Sequence, residues 1–134
     1  MVPTVEWKNG AVRLLDQSRL PEHVEFLDCR DYRAVADAIR ELKVRGAPAI
    51  GVTAALGVAL GAQAVSATEF PAFARALLPI CDHLAATRPT AVNLFWAIDR
   101  MKKKLASLSA QAVPAVKAAL LAEAQAILDE DIAL

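Results

Sequence analysis

The sequence has few aromatic residues, few cysteines and no net charge, and each shortage narrows what the protein can be. Aromatic residues make up 5% of the 134 positions, so Ala, Val, Leu and Ile must build most of the core. The 15 Lys and Arg residues balance 15 Asp and Glu residues, so the chain lacks the excess of positive charge that marks nucleic-acid binders. We therefore expect no nucleic-acid partner.

Cysteine occurs at two positions, Cys29 and Cys81, which allow at most one disulfide. A chain of this length buries about two-thirds of the surface that it exposes when unfolded, so it needs neither disulfides nor a metal to fold. Residues 1–7 are short of apolar side chains and include Glu6, unlike a secretory signal. We expect a reducing cytoplasm as the location, with both thiols acting as small buried hydrophobic groups.

Formal charge is absent from one long segment, residues 46–68. Hydrophobic residues make up 56% of the sequence and the mean hydropathy is +0.35, which excludes a disordered chain. About twenty apolar residues suffice to span a bilayer, so a membrane hairpin is one interpretation of this segment. Its four glycines, Pro48 and the polar residues Thr53 and Gln63 favour a helix buried on all sides within a protein. We expect no membrane partner.

The first 30 residues have the pattern of a small antiparallel sheet. Residues 4–8 and 11–15 alternate between apolar and polar side chains, and Asn9-Gly10 between them supplies two residues that tolerate positive φ. Residues 23–27 alternate again, with Val24 and Phe26 on one face. The pattern predicts a meander of three strands.

From Asp31 onward the apolar residues recur at helical spacing. Asp31 is suited to cap a first helix that has Arg45 in its last turn, and Gly46 would end that helix in the left-handed conformation. The inner face of this helix is expected to carry Val35, Ala38, Ile39 and Leu42.

Four more helices are predicted. Pro48 fits the first turn of a second helix, Pro79 is expected to kink a third over residues 69–87, Thr90 is suited to cap a fourth, and a fifth begins near Pro114. Apolar residues at helical spacing define the expected inner face of each later helix. For the third helix they are Phe70, Phe73, Leu77, Cys81 and Leu84. For the fourth they are Val92, Phe95, Trp96 and Ile98, and for the fifth they are Leu121, Ala124, Leu128 and Ile132.

The predicted fold class is α+β, a three-stranded antiparallel meander in residues 1–30 followed by a bundle of about five helices in residues 31–134. Asp129, Glu130 and Asp131 place negative charge at the end of the last helix, where it opposes the helix dipole. Since no helix-ending residue follows, we expect the chain to be the N-terminal part of a longer protein; a frayed natural end is the alternative.

The segment from Lys43 to Gly51 has the pattern of a phosphate-binding corner. One helix ends, Gly46 turns the chain, and a second helix begins with free amide groups that face the turn. Arg45 supplies a planar guanidinium to the same anion, and the small Gly46 and Ala47 allow a phosphate to approach the backbone. An ordinary corner with Arg45 in solvent is the alternative.

A second corner covers residues 87–93. Arg88 again stands directly before a proline and a helix start, so Arg88 and the amides after Thr90 are candidates to face a second polar group of a ligand. An exposed loop between two helices explains the same pattern equally well.

Other chemistry finds little support in the sequence. Cys81, Asp82 and His83 have the composition of a nucleophilic triad, but adjacent residues on a helix point about 100° apart and cannot converge. The two histidines and two cysteines do not have zinc-ligand spacing, and His23 and His83 are interpreted as surface or boundary residues. Phosphate-binding Walker loops, dinucleotide fingerprints and nucleophile elbows are absent. We expect neither a cofactor nor a metal.

Three groups of motifs carry a resemblance to a known family. They are Trp7-Lys8-Asn9-Gly10 with Leu15-Asp16-Gln17-Ser18-Arg19-Leu20-Pro21, then Arg45-Gly46-Ala47-Pro48-Ala49-Ile50-Gly51, then Arg88-Pro89-Thr90-Ala91-Val92-Asn93-Leu94-Phe95-Trp96-Ala97. In this order and spacing the chain resembles, over its whole length, the methylthioribose-1-phosphate isomerases of methionine salvage. The regulatory subunits of eukaryotic initiation factor 2B are related to them.

The resemblance implies an aldose–ketose isomerase that converts methylthioribose 1-phosphate to methylthioribulose 1-phosphate, and a homodimer at full length. It implies substrate contacts from Arg45, Gly46, Ala47 and Arg88. The catalytic Cys and Asp of the family belong to a Rossmann-like C-terminal domain, a partner that this chain lacks, and neither Cys29 nor Cys81 has the family's surrounding motif. The chain alone is therefore expected to be inactive. A non-catalytic regulatory or scaffold domain of the initiation factor 2B type is the alternative.

Overall fold

The computed structural model describes residues 4–133 and confirms the α+β class. Within these residues three strands precede five α-helices. The elements are β1 (Val5–Lys8), β2 (Ala11–Leu15), β3 (Phe26–Cys29), α1 (Tyr32–Arg40), α2 (Ala47–Ala64), α3 (Phe70–Ala85), α4 (Val92–Ala106) and α5 (Val113–Ala133).

The N-terminal hairpin forms as the sequence predicts. β1 and β2 pair antiparallel, with Val5 opposite Leu14 and Lys8 opposite Ala11. Asn9 and Gly10 have φ values of 53° and 74°, the two positive values that a type I′ turn requires. β2 pairs in turn with β3, so the sheet is a meander in the order β1-β2-β3.

The third strand was predicted over residues 23–27, and it begins three residues later, at Phe26. Leu27 pairs with Leu14 and Cys29 pairs with Val12, which places Leu27 and Cys29 on the core side. Val24 is 69% exposed. Phe26 faces outward beneath the guanidinium of Arg13, which lies 4.4 Å from the centre of its ring. A cation stacked on the ring gives Phe26 a favourable place outside the core.

The first helix begins as predicted and ends five residues early. The Asp31 carboxylate accepts a hydrogen bond of 3.0 Å from the Ala34 amide, which confirms the cap. The helix ends at Arg40, and Leu42 rather than Gly46 takes the left-handed position after it, with φ at 61°. Leu42 is 48% exposed, so the prediction that it faces the core was wrong. The other three residues of the predicted inner face, Val35, Ala38 and Ile39, are buried.

The second helix, α2, is the centre of the bundle. Pro48 lies in its first turn as predicted, and Gly46 precedes it as the N-cap. α2 has the length and apolar composition of a membrane span, but 72% of its residues are buried inside the protein. Helices α1, α3, α4 and α5 all pack against it. This packing explains why a segment without charge has no polar face.

The remaining helices were placed correctly but differ in detail. The predicted burial of Phe73, Leu77, Cys81 and Leu84 on α3 is confirmed. α4 begins after Ala91, with no side chain capping it, so the prediction that Thr90 caps it was wrong. Phe95, Trp96 and Val92 are exposed, because α4 turns Leu94, Ala97, Ile98, Met101 and Leu105 toward the core instead. On α5, Ala124 and Leu128 are buried as predicted, whereas Ile132 is 68% exposed.

Candidate functional site

The two corners singled out in the sequence lie beside one another and line a single open cavity of about 620 Å³. The first corner contributes Arg45, Gly46 and Ala47, and the second contributes Arg88. All four residues predicted to contact a ligand therefore line one cavity. The other lining residues are Leu42, Val44, Ile50, Thr90, Ala91, Val92 and Asn93.

A close approach of two helices brings the corners together. Helices α2 and α4 both begin at the cavity, and they touch near Gly51 and Asn93. A Cβ atom at Gly51 would lie 2.8 Å from the backbone oxygen of Asn93, which is closer than real Cβ atoms come. Glycine at this position therefore allows the N-terminal parts of α2 and α4 to pack directly against each other.

The first corner leaves backbone amides without a cap. Gly46, the N-cap of α2, has φ at 92° and no side chain to accept a hydrogen bond from the helix. The Ile50 amide donates to the Gly46 oxygen at 3.0 Å, which closes the first helical turn. The amides of Ala47 and Ala49 precede that bond, and Pro48 between them has no N–H to offer. Two amides at the positive end of the α2 dipole are therefore available to an anion.

The second corner is built in a similar way. Thr87 is buried and its hydroxyl donates to the Leu84 oxygen at 2.6 Å, which fixes the chain just before Arg88. The Arg88 oxygen accepts from the Ala91 amide at 3.0 Å, which closes the turn that leads into α4. The N-cap Ala91 has no side-chain oxygen, so the first amides of α4, those of Val92 and Asn93, are also uncapped.

The charged side chains that line the cavity within residues 4–133 are both positive. Arg45 is exposed and Arg88 is half-buried, and neither forms a salt bridge with any of the described residues. The cavity lining in residues 4–133 contains no carboxylate. Two guanidinium groups and two uncapped helix N-termini therefore face the same space. Such an arrangement favours a phosphate or another compact anion, since it offers both charge and directed N–H donors.

The cysteines and their neighbours lie elsewhere. Burial raises the pKa of the Cys29 and Cys81 thiols to about 11, so both stay protonated at neutral pH. Asp82 and His83 do not converge with Cys81, because Lys102 lies 3.3 Å from the Asp82 carboxylate and His83 packs edge-on against Tyr32. Among the described residues no group of three potential metal ligands is found.

Seven lining residues were not among the four assigned to the site from the sequence, and two of them, Asn93 and Leu42, bear on the ligand. Asn93 stood inside the second motif, and its position in the first turn of α4 was the signal that could have found it. Leu42 was placed on the core face of α1, and no local signal marks it as a cavity residue.

The fold and the cavity define this chain as an α+β domain with a positively charged cleft. The family model of the initiation factor 2 subunit family matches residues 43–134, which is more than half of the chain. The chain therefore belongs to that family, and the resemblance read from the motifs is confirmed at this level.

Two relatives show which proteins of this family the chain is similar to. The chain is 53% identical over 133 residues to the methylthioribose-1-phosphate isomerase of Syntrophotalea carbinolica, an alignment that covers 99% of this chain and 39% of the relative. It is 50% identical to the isomerase of Geobacter metallireducens, covering 98% of this chain and 38% of the relative. The chain thus spans less than two-fifths of the length of these relatives.

Two solved structures are similar to this chain in both fold and sequence. The crystal structure of 5-methylthioribose 1-phosphate isomerase from Pyrococcus horikoshii OT3 superposes with a TM-score of 0.93 at 38% identity, covering 97% of this chain and 36% of that one. The translation initiation factor eIF-2B subunit delta from A. fulgidus superposes with a TM-score of 0.89 at 39% identity, covering 98% and 38%.

Proposed function

We propose that this chain is the substrate-binding N-terminal part of an isomerase that converts methylthioribose 1-phosphate to methylthioribulose 1-phosphate. The observation that carries the proposal is that Arg45 and Arg88, from separate corners, line one cavity at which two uncapped helices begin. The similarity to proteins named methylthioribose-1-phosphate isomerase supplies the substrate. In this role Arg45, Gly46, Ala47 and Arg88 bind the sugar phosphate.

The chemistry explains why anchoring the phosphate matters. A phosphate on the anomeric carbon prevents the ring from opening by simple hemiacetal exchange, so a proton must be supplied to the ring oxygen while the phosphate is held. Opening breaks the bond between the ring oxygen and C1. A proton then moves from C2 to C1, which reduces C1, and the C2 hydroxyl releases its proton as C2 becomes a ketone. Each proton transfer needs a positioned acid or base.

The acid and base groups come from outside this chain in our proposal. Cys29 and Cys81 are buried away from the cavity, and the residues that line it include no carboxylate or histidine within residues 4–133. We assign catalysis to a Rossmann-like C-terminal domain in the longer protein. This chain then forms one wall of the cleft between itself and that domain. We also propose that the longer protein forms a homodimer and that it is located in the cytoplasm.

A second candidate function is a regulatory or scaffold domain of the initiation factor 2B type, in which the same cavity senses a sugar phosphate or a nucleotide. The similarity to the translation initiation factor eIF-2B subunit delta from A. fulgidus favours it. The two candidates share the anion-binding cavity and differ in whether the ligand is converted.

A chimera tests the isomerase. Residues 1–134 of this chain replace the matching 39% of the Syntrophotalea carbinolica relative, and the intact relative is the control. We expect the chimera to isomerise methylthioribose 1-phosphate and the 134-residue chain alone to be inactive. A folded chimera that binds the substrate without turning it over would favour the regulatory alternative. Turnover by the chain alone would contradict the assignment of catalysis to another domain.

A further inference from the structure

Leu42 has a backbone conformation that leucine rarely adopts. Its φ is 61°, in the left-handed region, where Cβ comes close to the following carbonyl oxygen and where glycine or asparagine is usual. Two hydrogen bonds that end α1 impose this conformation. The Leu42 amide donates to the Ile39 oxygen at 3.2 Å, and the Lys43 amide donates to the Ala38 oxygen at 3.0 Å.

Packing in the core does not account for leucine at this position. The side chain is 48% exposed and lies outside the hydrophobic core and the partly buried groups packed on it. It lines the cavity that contains Arg45 and Arg88. A strained residue that stabilises no core and borders a candidate site is more readily explained by what occupies that site.

The rest of the cavity wall divides into two kinds of surface. Arg45 and Arg88 offer charge, whereas Leu42 and Val92 are exposed apolar side chains, 48% and 77% accessible. An inorganic phosphate or a wholly polar sugar phosphate would bind the two arginines and leave Leu42 and Val92 in contact with water. A phosphate monoester with a small apolar substituent would satisfy both.

We propose that Leu42 determines ligand specificity by packing against the apolar substituent of a phosphate monoester whose phosphate Arg45 and Arg88 hold. This inference rests on the proposed function in using the same cavity, and it deepens that function by stating which ligands the cavity prefers. Leu42 and Arg45 line the same cavity and are three residues apart in the sequence, so one small ligand can contact both.

The test measures binding of methyl phosphate and n-butyl phosphate to the 134-residue chain by NMR titration. We expect the wild-type chain to bind the butyl ester about three- to fivefold more tightly, because part of the longer tail leaves water against Leu42. Leu42→Asn suits the left-handed backbone but removes the apolar contact. In this variant we expect equal affinities for the two esters.

Leu78→Asn is the matched control, because Leu78 is 41% exposed on α3 and does not line the cavity. It should keep the preference for the butyl ester. An unchanged preference in a folded Leu42→Asn chain would overturn the inference, and so would failure of either ester to bind at millimolar concentration. Leu42→Gly, which relaxes the backbone, should behave like Leu42→Asn.

The chimera separates this inference from the proposed function. If the chimera is an isomerase, Leu42→Asn should lower kcat/KM for methylthioribose 1-phosphate about three- to fivefold relative to ribose 1-phosphate, which has a hydroxyl in place of the methylthio group. If the chimera is inactive but Leu42→Asn abolishes the butyl preference, the proposed function fails and the inference stands. An active chimera whose substrate discrimination is unchanged by Leu42→Asn overturns the inference alone.

Discussion

Gly51 and Asn93 are in such close contact that a single methyl group at position 51 would meet the Asn93 backbone oxygen at 2.8 Å. The contact joins the N-terminal parts of α2 and α4, which follow the two corners of the cavity. A backbone oxygen cannot rotate away as the end of a side chain can, so the helices would have to separate to admit a larger residue. The spacing of the two corners therefore depends on this glycine.

Gly51→Ala should destabilise the protein by about 1–3 kcal/mol, the usual cost of overpacking, although alanine is the better helix former. Urea denaturation measures the change in the free energy of unfolding. Gly57→Ala is the control, since a Cβ there would meet side-chain carbons of Val35 and Leu84 at 3.0–3.3 Å rather than backbone. Its loss should be smaller. Equal losses for the two variants would mean that the Asn93 contact has no special role.

Arg45→Ala should weaken the binding of phosphate by about 1.5–3 kcal/mol, roughly ten- to hundredfold, because it removes a charge-assisted hydrogen bond. Arg45→Lys should restore little, since an ammonium lacks the planar fork of the guanidinium. Titration with inorganic phosphate, followed by NMR, measures both. Arg75→Ala is the control, because Arg75 is exposed on α3 and does not line the cavity. Affinity within twofold of wild type for Arg45→Ala would place Arg45 in solvent, the alternative interpretation of this corner.

The free energy of unfolding should decrease at acidic pH because Glu130 becomes protonated. Hydrogen bonds from the Arg100 guanidinium, at 2.8 Å and 2.6 Å, lower the pKa of the Glu130 carboxyl below its ordinary value of 4.5 and connect α4 to α5. A lowered pKa means that the folded state favours the ionised form. The resulting stabilisation is complete above the ordinary pKa and is lost as the pH falls through the lowered one.

Glu130→Gln should therefore reduce stability at pH 7 and flatten its decline below about pH 4.5. Urea denaturation at a series of pH values measures the effect. Glu22→Gln is the control, since Glu22 is exposed and forms no salt bridge with the described residues. If Glu130→Gln and wild type lose stability in parallel, the ion pair with Arg100 contributes nothing measurable.

Local chemistry made much of the fold predictable. Asn9-Gly10 specified a turn with two positive φ values, Asp31 capped α1, and Pro48 marked the first turn of α2. Each of these signals acts through the backbone of its own neighbours, so it survives whatever packs around it.

The errors arose where tertiary contacts outweighed local preference. Nothing near Leu42 in the sequence predicts a left-handed leucine, and the end of α1 was assigned to Gly46 because glycine is the usual residue there. β3 was predicted to begin too early because its bounds depend on pairing with β2, where Leu27 lies opposite Leu14 and Cys29 opposite Val12. The two corners of the site were found separately, but their meeting depends on the contact between Gly51 and Asn93, which spans 42 residues of sequence.

The exposed apolar residues of α4 should make the 134-residue chain associate with itself. Val92, Phe95 and Trp96 are 77%, 43% and 55% exposed, and their spacing places them on one face of the helix. Large exposed apolar patches are typical of surfaces that another protein or domain covers. We expect the chain to bind an environment-sensitive apolar dye and to sediment as more than a monomer at high concentration.

Replacing Phe95 and Trp96 together by serine should lower both dye binding and self-association, because it removes most of the apolar area of this face. Leu78→Ser is the control, since it removes one comparably exposed leucine from α3 and leaves α4 unchanged. In the chimera with the longer relative, the same double variant should lower stability more than it does in the chain alone, as expected if the additional domain covers this face. A monomeric wild-type chain that binds no dye would mean that these side chains are ordinary isolated surface residues.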